Sequence, residues 1–457
     1  MGRYDGKRAV VLGLMRSGVA AARLLAREGA AVTATDTRGA GDLRPAIEAL
    51  APLGARFELD GHDPATLAGA DLVVVSPGAR TDVPLFDAAR NAGVRITGEV
   101  ELASEFITAP ITAITGTNGK STVTAFLGHI AASAGRRVFV GGNLGTPLSE
   151  AALAGHAWDM AIVEVSSFQL ETIDRFHPRV ALLLNLRPDH MDRYADFESY
   201  ARAKARIFMN QGPDDFAVIN ADDEGAQRYA AGAAAQVFGF SRRSSLAEGA
   251  SVARESDGAY RITWRRAGRE EGCFLENLRV PGDHNAENAA AAVAAARLMG
   301  IPARDVCGAL NTFAGLEHRI EFVAERRGAS WYNDSKATNV DSVTVSLASF
   351  ARPIIWIAGG RHKGSPYTPL TALVQAHVKA ALLIGESAGL ITRDLAGTTD
   401  LRDCGTLEAA VAEAARLTAP GDVVLLSPAC SSYDQFTSYE DRGRAFKAAV
   451  LSLPGGR

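Results

Sequence analysis

Cysteine is scarce in this chain. Its four copies, Cys273, Cys307, Cys404 and Cys430, lack any metal-ligand spacing, which excludes a disulfide-dense or zinc-stapled scaffold. They are expected to be reduced packing residues. Neither sign of charge dominates: 48 basic against 52 acidic residues leave a net charge of -4, without a run of one sign long enough to follow a nucleic-acid backbone. A dedicated DNA or RNA binder is disfavoured. Long apolar runs are missing too, since even the alanine-rich stretch from Ala286 to Gly300 is interrupted by Arg297 and falls short of the roughly 18 apolar residues of a membrane span. The polar opening Met1 to Lys7 leads into a short apolar run ending at Met15, with neither the length nor the cleavage pattern of a signal peptide. A cytoplasmic protein is expected.

Glycine and apolar residues are what the sequence has in quantity. With 45 glycines and 47% hydrophobic residues over 457 positions, there is material for several cores, and at roughly 150 residues per domain the length suggests about three. Three times a short β-rich run ends in glycine or small polar residues and passes into a helical pattern or a further glycine turn. The first is Arg8 to Leu12, followed by Gly13 to Gly18, a helix from Val19 to Glu28, and a second strand Ala31 to Thr35 that ends at Asp36. The second is Ile111 to Thr115, then Gly116 to Lys120, then Ser121 to Ala134. The third is Pro353 to Ala358, then Gly359, Gly360 and Lys363. Such repetition predicts α/β layers with parallel sheets, divided near Gly98 and Gly315 into residues 1–98, 99–315 and 316–457. Open parallel sheets receive ligands beyond the carboxyl ends of their strands, so the chemistry is expected in the loops there.

The loop Gly13-Leu14-Met15-Arg16-Ser17-Gly18 resembles a dinucleotide fingerprint, with Asp36 at the end of the next strand where a ribose-binding acid would stand. Met15 replaces the middle glycine, which argues against a standard NAD site. A variant nucleotide site and a purely structural turn both stay open.

The loop Gly116-Thr117-Asn118-Gly119-Lys120-Ser121-Thr122 carries the strongest signal. Glycines let backbone N–H groups converge on phosphate oxygens, Lys120 adds positive charge, and the Ser121 hydroxyl can ligate Mg²⁺. The loop is shorter than the usual P-loop, because Ile114 stands where the first glycine belongs. A magnesium loop needs an acid near it, and the apolar run from Asp159 ends in Glu164. The next strand, Val180 to Leu184, runs into Asp189-His190-Met191-Asp192-Arg193-Tyr194, where His190 is either a hydrogen-bonding loop residue or a ligand of a second metal.

Taken together, Thr115 to Thr122, Glu164 to Leu170, Asp189 to Tyr194, His284-Asn285 with Asn288, Gly315 to Arg319, Asn333 to Asn339, and Leu426 to Phe436 resemble the Mur ligases in order and spacing over nearly the whole chain. The resemblance implies a Rossmann-like amino-terminal domain for a UDP-sugar, a central P-loop-type ATPase domain, and a Rossmann-like carboxyl-terminal α/β domain that closes over the site. It also implies the activity: ATP-dependent addition of D-glutamate to UDP-N-acetylmuramoyl-L-alanine, with those three small molecules as partners, and a monomer. Carried over by position, Ser17, Asp36, Thr37, Arg38 and Gly78 would contact the UDP moiety, with Asn143 and His190 near its diphosphate and sugar. Gly116 to Thr122, Asn285, Asn288, Arg319 and Asp334 would hold ATP. Lys120, Glu164, His190 and Lys204 would be catalytic, and Ser121, Glu164, His190 and Lys204 would hold two Mg²⁺ ions, the lysine as a carbamate. Without the resemblance, Lys204 reads as a surface lysine on an Ala/Arg-rich helix. Lys336, Thr338, Lys363, Ser432 and Tyr439 would surround the glutamate. Two positions depart from the family pattern: Arg361 stands where an aspartate is common, and Tyr439 where a phenylalanine is.

Overall fold

The computed structural model describes residues 2–454 apart from 78, 80–82, 144, 156, 192 and 277–281. The chain forms two compact units, one taking residues up to Glu276 together with Ala286–Leu310, the other taking Asn311 onward with the short segment that ends at Asn285. Within them lie three sheets, one for each expected α/β domain.

The first sheet has five strands, in the order Arg56–Glu58, Ala31–Thr35, Arg8–Leu12, Leu72–Val75, Arg95–Gly98, and every pairing is parallel. Strands buried on both faces need continuous apolar runs, and Leu72–Val75 is such a run. The helix after the first strand begins at Arg16, earlier than the expected Val19. Gly18, read from sequence as part of the turn, lies inside it, because a Cβ there would come within 1.8 Å of the Gly13 carbonyl oxygen.

The second sheet has nine strands. Its order is Arg269–Leu275, Tyr260–Arg266, Gly249–Arg254, Gln236–Ser241, Phe216–Asn220, Val180–Leu183, Ile111–Thr115, Met160–Glu164, Val138–Gly142. The pairings are parallel from Gly249–Arg254 to the Val138–Gly142 edge, whereas the Gly249–Arg254, Tyr260–Arg266 and Arg269–Leu275 meander is antiparallel. This sheet shares an apolar core with the first one. Between them Glu99 accepts the Ser149 N–H at 2.5 Å, and Arg23 bonds Glu150 at 2.6 Å.

Cys273 and Cys307, expected as packing residues, are brought against each other between strand Arg269–Leu275 and helix Ala303–Thr312, with Cα atoms 5.4 Å apart. A sequence separation of 34 gives no local cue to that pairing. Cys404 and Cys430 are free thiols.

The third sheet, in the second unit, is ordered Glu321–Arg326, Ala329–Asn333, Val423–Leu426, Ile354–Gly359, Val378–Ile384, Asp400–Gly405. Only the Glu321–Arg326 edge strand pairs antiparallel. Among the described residues no helix is long and apolar enough to cross a membrane.

Candidate active site

In the nine-stranded sheet, strand Ile111–Thr115 lies between Val180–Leu183 and Met160–Glu164, so the three carboxyl ends emerge side by side. The expected phosphate loop, Glu164 and the segment starting at Asn185 are thereby neighbours. The loop is stitched to the last of these: Thr117 N–H donates to the Asn185 carbonyl at 3.0 Å, Asn118 N–H to Asn185 Oδ1 at 2.8 Å, and Asn185 Nδ2 back to the Asn118 carbonyl at 3.1 Å. Gly119, at φ +86°, turns the chain into helix Lys120–Ser133. A Cβ on it would lie 2.5 Å from Asn288 Oδ1, so the loop and the expected adenine residue are in direct apposition. Lys120 Nζ donates to the Gly116 and Thr117 carbonyls, each at 2.9 Å, folding its charge over the loop. Ser121 and Thr122 are buried in the first turn of the helix.

Glu164 is 2% exposed. Its Oε1 accepts from Asn143 Nδ2 at 2.7 Å, which brings the expected substrate residue Asn143 onto the expected metal ligand. Its Oε2 is buried with no hydrogen-bond partner. An unpaired buried carboxylate oxygen is costly unless something supplies positive charge to it.

Lys204 is equally buried, not the surface lysine its helix composition suggests. Burial, reinforced by the nearby Lys120 charge, pushes its amine down to about 7, with Asp189 and Glu164 opposing. The amine lies over the Tyr200 ring, and the Tyr200 hydroxyl is 3.0 Å from Thr117 Oγ1. Tyr200 thus joins the phosphate loop to Lys204. The i, i+4 spacing of these two residues on one helix was the available sequence signal for it. Asp189 is a second contributor without an assigned role in the sequence reading. His190, with φ +55°, is half exposed, packs 4.8 Å from the Phe168 ring and lies 3.6 Å from Asp189. Among the described residues no three His, Cys, Asp or Glu side chains converge as a ready-made metal cage.

A cleft of 680 Å³ opens beside the first glycine loop, lined by Leu14, Met15, Arg16, Arg38, Leu43 and Pro147 among others. Asp36 is buried, and its carboxylate accepts from Leu14 N–H at 2.7 Å and from Arg38 N–H, Nε and NH2 at 3.0, 3.0 and 2.8 Å. The Arg38 hydrogen bonds hold this carboxyl well below the usual carboxylate range. Ser17 sits in the first turn of helix Arg16–Arg27 and Thr37 is exposed next to Asp36. Gly78 lies outside the described residues.

In the second unit, Asp334 follows strand Ala329–Asn333 and is buried, accepting from Ser346 Oγ at 2.5 Å, Ser427 Oγ at 2.7 Å and Ile320 N–H at 3.2 Å. Burial raises its carboxyl to about 6 despite these donors and the Arg319 charge. Lys363 Nζ donates to Thr338 Oγ1 at 3.0 Å, bringing two expected glutamate residues together. Lys336 N–H bonds the His318 carbonyl at 3.0 Å, and the Tyr439 ring meets His318 edge-on at 6.1 Å. Ser432 is buried on the loop after strand Val423–Leu426. Arg442, unforeseen from sequence, is 1% exposed and donates to Ser335 Oγ at 2.9 Å and to the Ser335 and Cys430 carbonyls at 2.9 and 3.1 Å. It ties the Lys336 loop to the Ser432 loop. The departing residue Arg361 pairs outward with Glu386 at 3.3 Å, while its backbone exchanges hydrogen bonds with Ser431 at 3.0 and 3.1 Å. Its added charge is met by that acid.

Comparison with known proteins gives three domain matches: residues 7–98 match the Mur ligase MurD-like N-terminal domain, 114–296 the Mur ligase middle domain, and 318–430 the Mur ligase glutamate ligase domain. The UDP-N-acetylmuramoylalanine–D-glutamate ligase of Anaeromyxobacter dehalogenans is 52% identical, covering 97% of each chain. The enzyme of the same name from Geobacter metallireducens is 50% identical, covering 99% of each. Among solved structures, MurF from Acinetobacter baumannii superposes with a TM-score of 0.61 at 17% identity, over 97% of this chain and 93% of that one. MurC from Thermotoga maritima gives 0.59 at 19% identity, over 98% and 100%.

Proposed function

The chain belongs to the Mur ligase family, and on that premise we infer that it joins D-glutamate to UDP-N-acetylmuramoyl-L-alanine at the expense of ATP, a step of peptidoglycan synthesis. The observation that carries this reading is identity of half the residues, end to end, with ligases of that name. The chemistry has two displacements. An oxygen of the alanyl carboxylate attacks the γ-phosphorus of ATP and ADP leaves, giving an acyl phosphate. The glutamate amine then attacks the acyl carbon, and phosphate departs with that carboxylate oxygen as the amine loses its proton.

The residues divide this work as follows. Gly116 to Thr122 cradle the triphosphate, with the N–H groups of the first turn of helix Lys120–Ser133 facing it, and Lys120, already poised over the loop, meets the charge that gathers in both steps. Asn285 and Asn288 take the adenine, and Arg319 and Asp334 are further ATP-binding residues. Ser17, Asp36, Thr37, Arg38, Gly78, Asn143 and His190 take the UDP-sugar, and Lys336, Thr338, Lys363, Ser432 and Tyr439 take the amino acid. The domains responsible are residues 1–98, 99–315 and 316–457, acting in a cytoplasmic monomer.

Mg²⁺ fits the donor set of the central domain. Magnesium takes oxygen ligands, relies on substrate phosphates and rarely on all-protein cages. The partnerless Glu164 Oε2 and the Ser121 hydroxyl would hold one ion, and His190 with Lys204 would hold a second. When bound, the ions neutralise phosphate charge in both displacements. An ammonium cannot ligate a metal, but an amine lowered to about 7 is partly neutral and can add to CO₂, becoming an anionic oxygen donor. Carbamylation also resolves the crowding of Lys204 by Lys120. Phosphate release from ATP, dependent on both UDP-N-acetylmuramoyl-L-alanine and D-glutamate, tests the reading; release with another amino acid and not with D-glutamate would refute it.

A further inference from the structure

Helix Asp283–Leu298 carries Asn288 and is fastened to the nine-stranded sheet near each end. Toward its carboxyl end Arg297 bonds both oxygens of Glu271, at 2.7 and 2.8 Å. Near its amino end Asn220 Nδ2 donates to Glu287 Oε1 at 2.8 Å. Asn220 is the last residue of strand Phe216–Asn220 and is 6% exposed. Its amide oxygen accepts the Asp222 N–H at 2.8 Å, which fixes the amide so that its nitrogen faces the helix. Glu287 immediately precedes Asn288, whose Oδ1 is the atom that a Cβ on Gly119 would strike. With about 3.6 residues per turn, a small roll of the helix moves Asn288 along the phosphate loop.

We propose that Asn220 and Glu287 are a positioning pair: their hydrogen bond sets the roll of this helix, and with it the placement of Asn288 against the nucleotide and the preference for the adenine base. The proposal rests on the reading above that Asn288 contacts ATP. Neither residue touches the reacting atoms. The pair is invisible to motif reading, because Asn220 ends a strand more than sixty residues before the helix begins.

The test exploits the polarity of the bond. Asn220→Asp sets a carboxylate against Glu287, removing the donor and adding like-charge repulsion. The expected result is a rise in KM for ATP of about tenfold and a fall in the ATP-over-GTP preference, with KM for UDP-N-acetylmuramoyl-L-alanine and D-glutamate unchanged. Glu287→Gln retains an acceptor oxygen and is expected to shift KM for ATP by less than about threefold. The double variant Asn220→Asp/Glu287→Gln recreates the bond with its direction reversed, amide nitrogen to carboxylate, and is expected to recover KM and base preference to within about twofold of the parent. A merely architectural role would lower thermal stability without moving the base preference. If Asn220→Asp does not fold, Glu287→Ala carries the same expectation. A folded single variant with parental KM for ATP and parental base preference, or a double variant no better than Asn220→Asp, overturns the proposal. Absence of ATP-dependent ligation in the parent protein would instead remove the reading beneath it.

Discussion

The Lys204 amine lies 4.8 Å from the centre of the Tyr200 ring, on the same helix and one turn apart. Both side chains are buried, and the Tyr200 hydroxyl reaches the phosphate loop at Thr117. A lysine kept partly neutral by burial and by Lys120 is suited to capture CO₂, and removing it leaves a cavity that a small anion can enter. Lys204→Ala is expected to lower kcat by about a hundredfold or more and to regain part of it in the presence of acetate. Full activity without any added carboxylate would show that the carbamate role is misplaced.

Lys120→Ala removes the charge that covers the phosphate loop at the Gly116 and Thr117 carbonyls. The expected loss is about a thousandfold in phosphoryl transfer, by the scale of single preorganised charges in active sites. Calorimetric titration should find binding of UDP-N-acetylmuramoyl-L-alanine nearly intact. Normal acyl-phosphate formation in this variant would refute the assignment.

At Gly119, both a left-handed backbone and a 2.5 Å approach to Asn288 Oδ1 oppose a side chain. Gly119→Ala is expected to raise KM for ATP about tenfold or more, since left-handed strain of roughly 1–2 kcal/mol adds to displacement of Asn288. Unchanged ATP kinetics would mean that the loop does not meet the nucleotide there.

Glu99 is 2% exposed, and burial raises its carboxyl from 4.5 to about 7, against the Ser149 N–H that favours ionisation. The folded protein therefore holds this proton to higher pH than the unfolded chain does. Its effect on stability is absent below about pH 4.5, grows unfavourable as pH rises to about 7, and stays constant above, amounting to about 3 kcal/mol. Glu99→Gln retains a carbonyl for Ser149 and escapes the penalty. Urea unfolding is expected to show its stability relative to the parent increasing between pH 4.5 and pH 7; a difference independent of pH would contradict this.

Local chemistry explains what could be read from the sequence. Strands Arg8–Leu12, Ala31–Thr35 and Ile111–Thr115 fall at their expected bounds because short β-rich runs ended by glycine or by polar turn residues have few alternative structures. Gly18 misled the helix start, since a glycine demanded by close packing looks in sequence like one demanded by a turn. The burial of Lys204, the Asn220–Glu287 bond, the Cys273–Cys307 pair and the loop-joining Arg442 depend on tertiary contacts that periodicity does not encode. The Asn185 lattice under the phosphate loop is of the same kind: an asparagine after a strand has many uses, and only the neighbouring strand's register decides which.

Activation of a sugar-linked carboxylate by ATP at the Gly116–Thr122 loop is the central step of the proposed reaction. The most direct measurement uses UDP-N-acetylmuramoyl-L-alanine labelled with ¹⁸O in its alanyl carboxylate, with ATP, Mg²⁺ and D-glutamate, followed by mass analysis of the phosphate released. Transfer of one carboxylate oxygen to each phosphate is predicted, because the acyl phosphate breaks between carbon and that oxygen. Unlabelled phosphate accompanying full product formation would contradict it.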